Sequence, residues 1–489
     1  MAEYHVENFG CRASRADGEA IAATLRHSGM QAAETPATAH VVIVNTCSVT
    51  AEADRQARAW LRRIHRQNPG ARVIVTGCYA QRAPQELARM PEVDAVIGNS
   101  HKSLVAEAAF GLAAGTAPVA QDFVPIARIL HDDAFAHADL ATLPFASDAR
   151  QTRPNLKVQD GCGNRCSFCI IPTTRGHSRS VPLPACLDNV QRFVDQAGQE
   201  LVLSGINLGR WGRDLQPARR FEDLVAAILI KTALPRLRLS SIEPMDWSQD
   251  LLALYAEFAT GDHPRLARHA HLPLQSGSDT ILRRMHRRYR PWHYAERLAA
   301  IRELMPDAAI GADVMIGFPG ETDALFDESY RFIAEQPFTY IHLFPFSARP
   351  GTPAWELHRQ HPVPDGVVRL RMQALRELMA EKFLSFRSGL LGRRLSAVTI
   401  EAGAEGATHA VTDNFLKLTL NESLPPNRLV GAKITGLTAD GLAGTCAPNS
   451  RMARDVGGSA AVTTGWEAEG PGRPSPLPGA TQTPVPAGR

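Results

Sequence analysis

The chain has 489 residues, 44% hydrophobic and 21% charged. That is an ordinary globular balance, long enough for two to four domains that each bury a core. No apolar run approaches the roughly 18–20 residues of a membrane span, and MAEYHVENFG lacks the basic start and apolar stretch of a signal peptide. The expectation is a soluble cytoplasmic protein with no membrane partner. The formal charge of +3 argues neither for nor against nucleic acid, so local basic clusters must decide.

Residues 1–115 alternate short β-branched runs with helix patterns. EYHVENF is followed by a helix through about His27, and VVIVN by a helix over about 51–67. RVIVT precedes a helix near 84–90, and DAVIG follows. This is the signature of parallel βα units. Residues 116–151 mix Pro, Ala and Asp and read as a linker. From 152 a second series begins, with strands NLKVQ, ELVLS, RLRLS, HLPLQ, GADVMIGF and YIHLFPF. Helix patterns fill 184–197, 221–231, 248–259, 291–304 and 322–335. Six βα units predict a barrel or partial barrel over 152–380, with chemistry at the C-terminal ends of its strands. A helix over 365–389 leads to RLSAVTIEA, HAVTDNFLKLTL and LVGAKITGL, which read as a small β-barrel over 381–446. The Gly-, Pro-, Ser- and Thr-rich stretch 447–489 reads as a disordered tail.

Eight cysteines are present, and in a reducing compartment they are ligands or catalysts before they are disulfides. Cys11, Cys47 and Cys78 each stand just past a predicted strand. In an open parallel sheet those strand ends share one edge, where ligands bind, so three distant thiols converge; three separately buried cysteines are the plainer alternative. Cys162, Cys166 and Cys169 form a C-x3-C-x2-C loop after NLKVQ. Thiolates favour zinc or iron–sulfur. A cluster on three cysteines leaves one iron open to a ligand, as catalytic metal sites do; a zinc site completed by His177 or Cys186 is the alternative. Cys186 and Cys446 read as structural.

The C-x3-C-x2-C loop on the first strand of a six-unit βα barrel resembles the radical S-adenosylmethionine (SAM) superfamily. There the open iron chelates SAM, and an electron cleaves it to a 5′-deoxyadenosyl radical. NTCSVTAEADRQARAWLRR, VTGCYAQR, VQDGCGNRCSFCIIPTTRGHSRS, VLSGINLGRWG, RLSSIEP, HLPLQSGSD, MIGFPGET and HLFPFSARPGTP are similar, in order, to the methylthiotransferases, over about residues 3–446. NTCSVT, its A-x-A-D-R-x-A-R extension and RLSSIEP look most like the branch acting on tRNA threonylcarbamoyladenosine.

The resemblance implies an α/β protein with an N-terminal methylthiotransferase domain, a radical SAM core and a C-terminal TRAM-like barrel. It implies two 4Fe–4S clusters, an auxiliary one on Cys11, Cys47 and Cys78 and a SAM-binding one on Cys162, Cys166 and Cys169. It places Gly205, Gly317, Gly320 and Glu321 at the SAM pocket. The implied reaction adds a methylthio group to C2 of N6-threonylcarbamoyladenosine at tRNA position 37, next to the anticodon. Implied partners are the tRNA anticodon stem-loop, an electron donor and a sulfur source. The rivals are another acceptor (isopentenyladenosine in tRNA or a ribosomal-protein aspartate) and a non-enzymatic metal-bearing RNA-binding protein. Ser14 stands where the family often has Asn. Arg58, Arg62, Arg63 and Arg66, the run RRMHRRYR over 283–290, and Arg387, Arg393 and Arg394 are candidate phosphate contacts. Phe415 is a candidate base-stacking platform.

Overall fold

The computed structural model describes residues 2–115, 128–133, 135, 152–403 and 406–447. The expected tail, but for Ala447, and most of the expected linker lie outside these residues.

Strands β1 (Glu3–Asn8), β2 (Gln31–Ala32), β3 (Val41–Thr46), β4 (Arg72–Gly77), β5 (Ala95–Gly98) and β6 (Arg128–Leu130) form one parallel sheet in the order β2-β1-β3-β4-β5-β6. VVIVNT in β3 is buried at every position, because helices cover both faces and leave no polar side to alternate with. Helix Ala51–Gln67 starts at Thr50, whose hydroxyl accepts from the Ala53 N–H and satisfies a donor the helix itself leaves free. The chain winds from β1 outward to β2, then returns to the other side of β1 as β3. The strand order therefore reverses between β1 and β3, and a ligand crevice opens past their C-terminal ends.

The second series supplies β7 (Asn155–Asp160), β8 (Arg179–Ser180), β9 (Glu200–Gly205), β10 (Arg236–Leu239), β11 (His269–His271), β12 (Ala309–Ile316) and β13 (Tyr340–Pro345). Six run parallel, as β10-β9-β7 and β11-β12-β13, and β8 lies antiparallel on β7. The two halves meet where Leu237 donates to the Arg265 carbonyl and accepts from the Ala267 N–H. Helices Leu183–Asp195, Phe221–Lys231, Gln249–Phe258, Pro291–Leu304 and Asp323–Glu335 complete the expected repeats. One continuous core runs through this partial barrel, with Trp211, Trp247, Tyr255 and Cys186 fully enclosed.

Helix Asp365–Ser388 crosses residue 380 unbroken, and its Phe383 and Phe386 pack on the core of the last unit. That unit is a closed barrel of β14 (Arg394–Ala402), β15 (Thr408–Thr412), β16 (Lys417–Leu420), β17 (Leu429–Leu437) and β18 (Leu442–Cys446). It plugs the N-terminal end of the βα barrel. Arg238 donates to the carbonyls of Thr412 and Asp413, and Arg268 pairs with the Asp413 carboxylate at 2.5 Å. Phe415, at the turn between β15 and β16, lies 4.6 Å from His269 and 5.9 Å from Tyr340, ring centre to ring centre. Its ring is flanked by the guanidiniums of Arg12, Arg153 and Arg238. The expected RNA-stacking platform is instead spent on this domain junction.

Candidate active site

Cys11 follows β1, Cys47 follows β3 and Cys78 follows β4, so three neighbouring strands aim three thiols at one crevice. Gly10 allows the approach. Its φ is +111°, and a Cβ there would stand 2.4 Å from the Cys47 Cβ, a contact only glycine avoids. Cys11 also starts helix Arg12–His27, and Cys78 opens helix Cys78–Arg82; the partial positive charge of a helix N-terminus favours a thiolate. Asn99 Nδ2 donates to Cys78 Sγ at 3.5 Å. Burial, with the nearby Cys78 and Cys11, pushes the Cys47 thiol up to about 12. The protein alone does not ionise it; a bound metal would.

Cys162, Cys166 and Cys169 occupy the loop after β7. Gly161 turns the chain there with φ +73°, and a Cβ on it would lie 2.0 Å from the His177 carbonyl oxygen. The Asn164 and Ile171 N–H groups donate to Cys162 Sγ and Cys169 Sγ, both at 3.4 Å. Asn207 Nδ2 reaches Cys162 Sγ at 3.6 Å, and Arg287 Nη1 reaches Cys166 Sγ at 3.4 Å while its other amino group holds Glu243 at 2.7 Å. Donors aimed at sulfur orient ligands and tune a metal. Gln159 accepts from the Asn207 N–H and donates to the carbonyls of Asp160 and Gly161, fastening this loop to the one after β9. Burial raises Cys162 and pushes Cys169 up to about 12.

Cys11, Cys162, Cys166 and Cys169 all line one cavity of about 700 Å³. Its wall carries buried polar atoms with no hydrogen-bond partner among the described residues: Ser204 Oγ, Asn207 Oδ1 and Gln275 Oε1. Such atoms are normally satisfied, and here they face space where a polar molecule fits. The two thiol sets are also joined through protein. Helix Ile171–Arg175 begins two residues past Cys169 and ends at the fully buried Arg175. Arg175 pairs with Asp160 at 2.9 Å and Asp17 at 3.1 Å, and reaches Ser14 Oγ at 3.4 Å. Lys157 pairs with both of these carboxylates and Lys102 with Asp17. Three cations thus share two carboxylates beside Cys11 and Cys78. Burial opposes the charge on Arg175, but Asp160, Cys78, Asp17 and Cys11 outweigh it and hold the guanidinium ionised. The surplus positive charge suits thiolates on a metal. Both donor sets therefore fit iron–sulfur clusters. Cys186 does not complete either one, since it is enclosed in the barrel core against the Val181 carbonyl.

Of the other expected residues, Gly205 lines the cavity. Gly317, Gly320 and Glu321 are not among its lining. Gly317 lies against Val368, Gly320 beside Arg284, and Glu321 accepts from the Gly317 N–H and from Arg371, so this turn is packed on helix Asp365–Ser388. The basic runs are largely consumed by structure. Arg58 holds Tyr79 and Glu86, Arg283 and Arg290 pair with Asp279, and Arg284 donates to the Gly320 carbonyl. Arg387 donates to the carbonyls of Thr438 and Gly441, and Arg393 pairs with Asp307. Arg62, Arg63, Arg66, Arg288 and Arg394 remain exposed. Sequence reasoning missed Arg287, which sat inside an apparent phosphate-binding run. It also missed Arg175, Asn207 and Asn99, which carry no spacing signal at all.

A three-thiol loop at the mouth of a six-strand βα barrel defines a radical SAM class of protein. Family models agree: residues 156–333 match the radical SAM superfamily, and residues 3–98 match uncharacterized protein family UPF0004. Threonylcarbamoyladenosine tRNA methylthiotransferase MtaB of Bacillus subtilis is 33% identical, over 86% of this chain and 90% of its own length. The tRNA-2-methylthio-N(6)-dimethylallyladenosine synthase of Acidothermus cellulolyticus is 32% identical, over 96% and 92%. The radical SAM methyltransferase TsrM of Kitasatospora setae shares the fold at TM-score 0.55 and 15% identity, over 74% of this chain and 78% of that one. The chain belongs to the radical SAM methylthiotransferase family, in its threonylcarbamoyladenosine tRNA branch.

Proposed function

We propose that this protein adds a methylthio group to C2 of N6-threonylcarbamoyladenosine at position 37 of tRNA, next to the anticodon. The observation that carries the reading is that Cys11 of one thiol set and all three thiols of the other face a single cavity, in a chain whose relatives over most of its length are methylthiotransferases. Cys162, Cys166 and Cys169 would hold one 4Fe–4S cluster, and Cys11, Cys47 and Cys78 the auxiliary one. Bound together with SAM, these groups supply reductive cleavage of SAM and the sulfur for transfer.

The chain's own residues position and enclose. Arg287, fixed by Glu243 and Tyr289, orients Cys166. Gln159 and Asn207 hold the Cys162 side of the loop against the loop after β9. Ser204, Gly205 and Gln275 offer SAM or the nucleoside polar and close-approach surface. Exposed Arg62, Arg63 and Arg66 on helix Ala51–Gln67, with Arg288, are the candidate phosphate contacts for the anticodon stem-loop. Among the described residues no helix is long and apolar enough to cross a membrane; tRNA and metal-binding thiols fit the cytoplasm. The electron donor and sulfur source are separate partners.

Deleting the gene is expected to remove 2-methylthio-threonylcarbamoyladenosine from bulk tRNA, with unmethylthiolated threonylcarbamoyladenosine rising to match. Nucleoside mass spectrometry reads both. An unchanged amount of the methylthio nucleoside, with loss of the dimethylallyl counterpart instead, contradicts the proposal.

A further inference from the structure

Arg12 follows Cys11, and its guanidinium enters the lumen of the βα barrel, where it lines the cavity. It stands 5.5 Å from the centre of the Phe415 ring, near Tyr340, Asp313 and Glu200. Among the described residues Arg12 forms no side-chain hydrogen bond and no ion pair. The other guanidiniums around the lumen are engaged. Arg153, Arg236 and Arg238 share Glu200, Arg268 holds Asp413, and Arg287 holds Glu243. Six guanidiniums, of Arg12, Arg153, Arg236, Arg238, Arg268 and Arg287, thus face four carboxylates, of Glu200, Glu243, Asp313 and Asp413. Arg12 is exposed to this cavity, and a ligand that covers it must offer an anion, because a cation buried without a partner is expensive.

The wall beside Arg12 is polar as well. His271, Asp313 and His342, on β11, β12 and β13, bring one ligand atom each within 4.8 Å of one another. His271 accepts or donates at Nδ1 with Ser241 Oγ at 2.7 Å, while its buried Nε2 lies 3.5 Å from Asp313 Oδ1. The nearby Arg12 charge opposes a dication at this triad and favours an organic anion with donors and acceptors of its own.

The two acceptors that the relatives' names carry differ in just this respect. A threonylcarbamoyl group bears a carboxylate, a hydroxyl and ureido N–H groups. A dimethylallyl group is apolar. We propose that Arg12 is the carboxylate-binding residue of a lumen subsite for the N6 substituent, with His271, Asp313 and His342 pairing its hydroxyl and N–H groups; this rests on the substrate reading above. A planar guanidinium takes a carboxylate through two parallel hydrogen bonds. An apolar substituent would leave the Arg12 charge desolvated and unpaired, and sites built for polar groups reject analogues that lack them strongly.

The test uses the reconstituted holoenzyme and three anticodon stem-loops carrying threonylcarbamoyladenosine, its carboxamide, or dimethylallyladenosine. Binding without SAM and kcat/KM with SAM are both measured. Wild type is expected to favour the acid over the carboxamide by about 100-fold. In Arg12→Gln that ratio is expected to fall to within about threefold, and in Arg12→Lys, which keeps the charge, to stay above about tenfold. A ratio unchanged in Arg12→Gln, with both ligands weakened equally, overturns the assignment and marks Arg12 as merely structural. Iron content equal to wild type shows that the variant has folded and loaded. Wild type that turns over the dimethylallyl stem-loop and ignores the threonylcarbamoyl one refutes the substrate reading itself, a different result from the first.

Discussion

Cys166→Ala is expected to abolish formation of 5′-deoxyadenosine and to lower iron from about eight to about four atoms per chain. The loop over 162–169 contributes three sulfurs, and the one other thiol lining the cavity among the described residues, Cys11, belongs to the second set. Cys186 is the nearest remaining cysteine in sequence, but it lies in the barrel core, where burial pushes its thiol up to about 12. Arg287 donates to Cys166 Sγ, so the variant also removes one acceptor from a buried guanidinium that keeps Glu243 and Tyr289. Loss of an orienting partner alone costs about 10–100-fold in metal affinity or activity, and loss of a ligand costs more. Cys186→Ala is the control and should keep full iron content. Intact SAM cleavage by Cys166→Ala would show that these three cysteines do not hold the SAM-binding cluster. Zinc in place of iron in the wild type would favour the non-enzymatic rival.

Arg175→Met is the second large effect. It removes the cation shared by Asp17 and Asp160 at full burial; Lys102 and Lys157 still pair with them, so the cost is expected to fall short of the about 3–5 kcal/mol of a fully broken buried pair. The loss should appear as a lower urea midpoint of the metal-free chain, and as reduced iron at the auxiliary site in reconstituted protein. Acid sharpens the test. Burial alone would raise both carboxylates. For Asp17 the charges of Lys102, Lys157 and Arg175 outweigh burial; for Asp160 those of Arg175, Lys157 and Lys102 do. Both groups are thereby held well below their ordinary 3.8. A carboxylate lowered on folding adds stability that is complete above its unfolded pKa and is lost as pH falls towards the folded one. Wild type should therefore weaken steeply below about pH 4, and Arg175→Met less steeply. Equal midpoints for the two proteins across that range would remove the network from the account.

Much of this architecture is written locally. The βα rhythm, the strand-end position of each thiol and the C-x3-C-x2-C loop are short-range patterns, and helices such as Phe221–Lys231 and Pro291–Leu304 fall where their apolar spacing puts them. The short strands β2, β6, β8 and β18 were not legible, because two to five residues carry no periodicity and become strands only through their neighbours. Charge was the least legible feature. RRMHRRYR reads as an RNA-binding patch, yet Arg287 in its midst is buried at a sulfur and Arg283 and Arg290 close on Asp279. Arg12, next to Cys11 in the chain, projects into a barrel built by residues more than 140 positions away. Which arginines meet solvent, a thiol or a lumen is decided by tertiary contacts that spacing along the chain does not encode.

The most direct test of the central claim is a competition in one anaerobic reaction. Reconstituted protein receives SAM, a reductant and equal amounts of two anticodon stem-loops, one carrying threonylcarbamoyladenosine and the other dimethylallyladenosine. Nucleoside mass spectrometry then follows both products. Methylthio transfer to the threonylcarbamoyl stem-loop is expected, with the dimethylallyl one left unmodified. Product on the dimethylallyl stem-loop alone would contradict it.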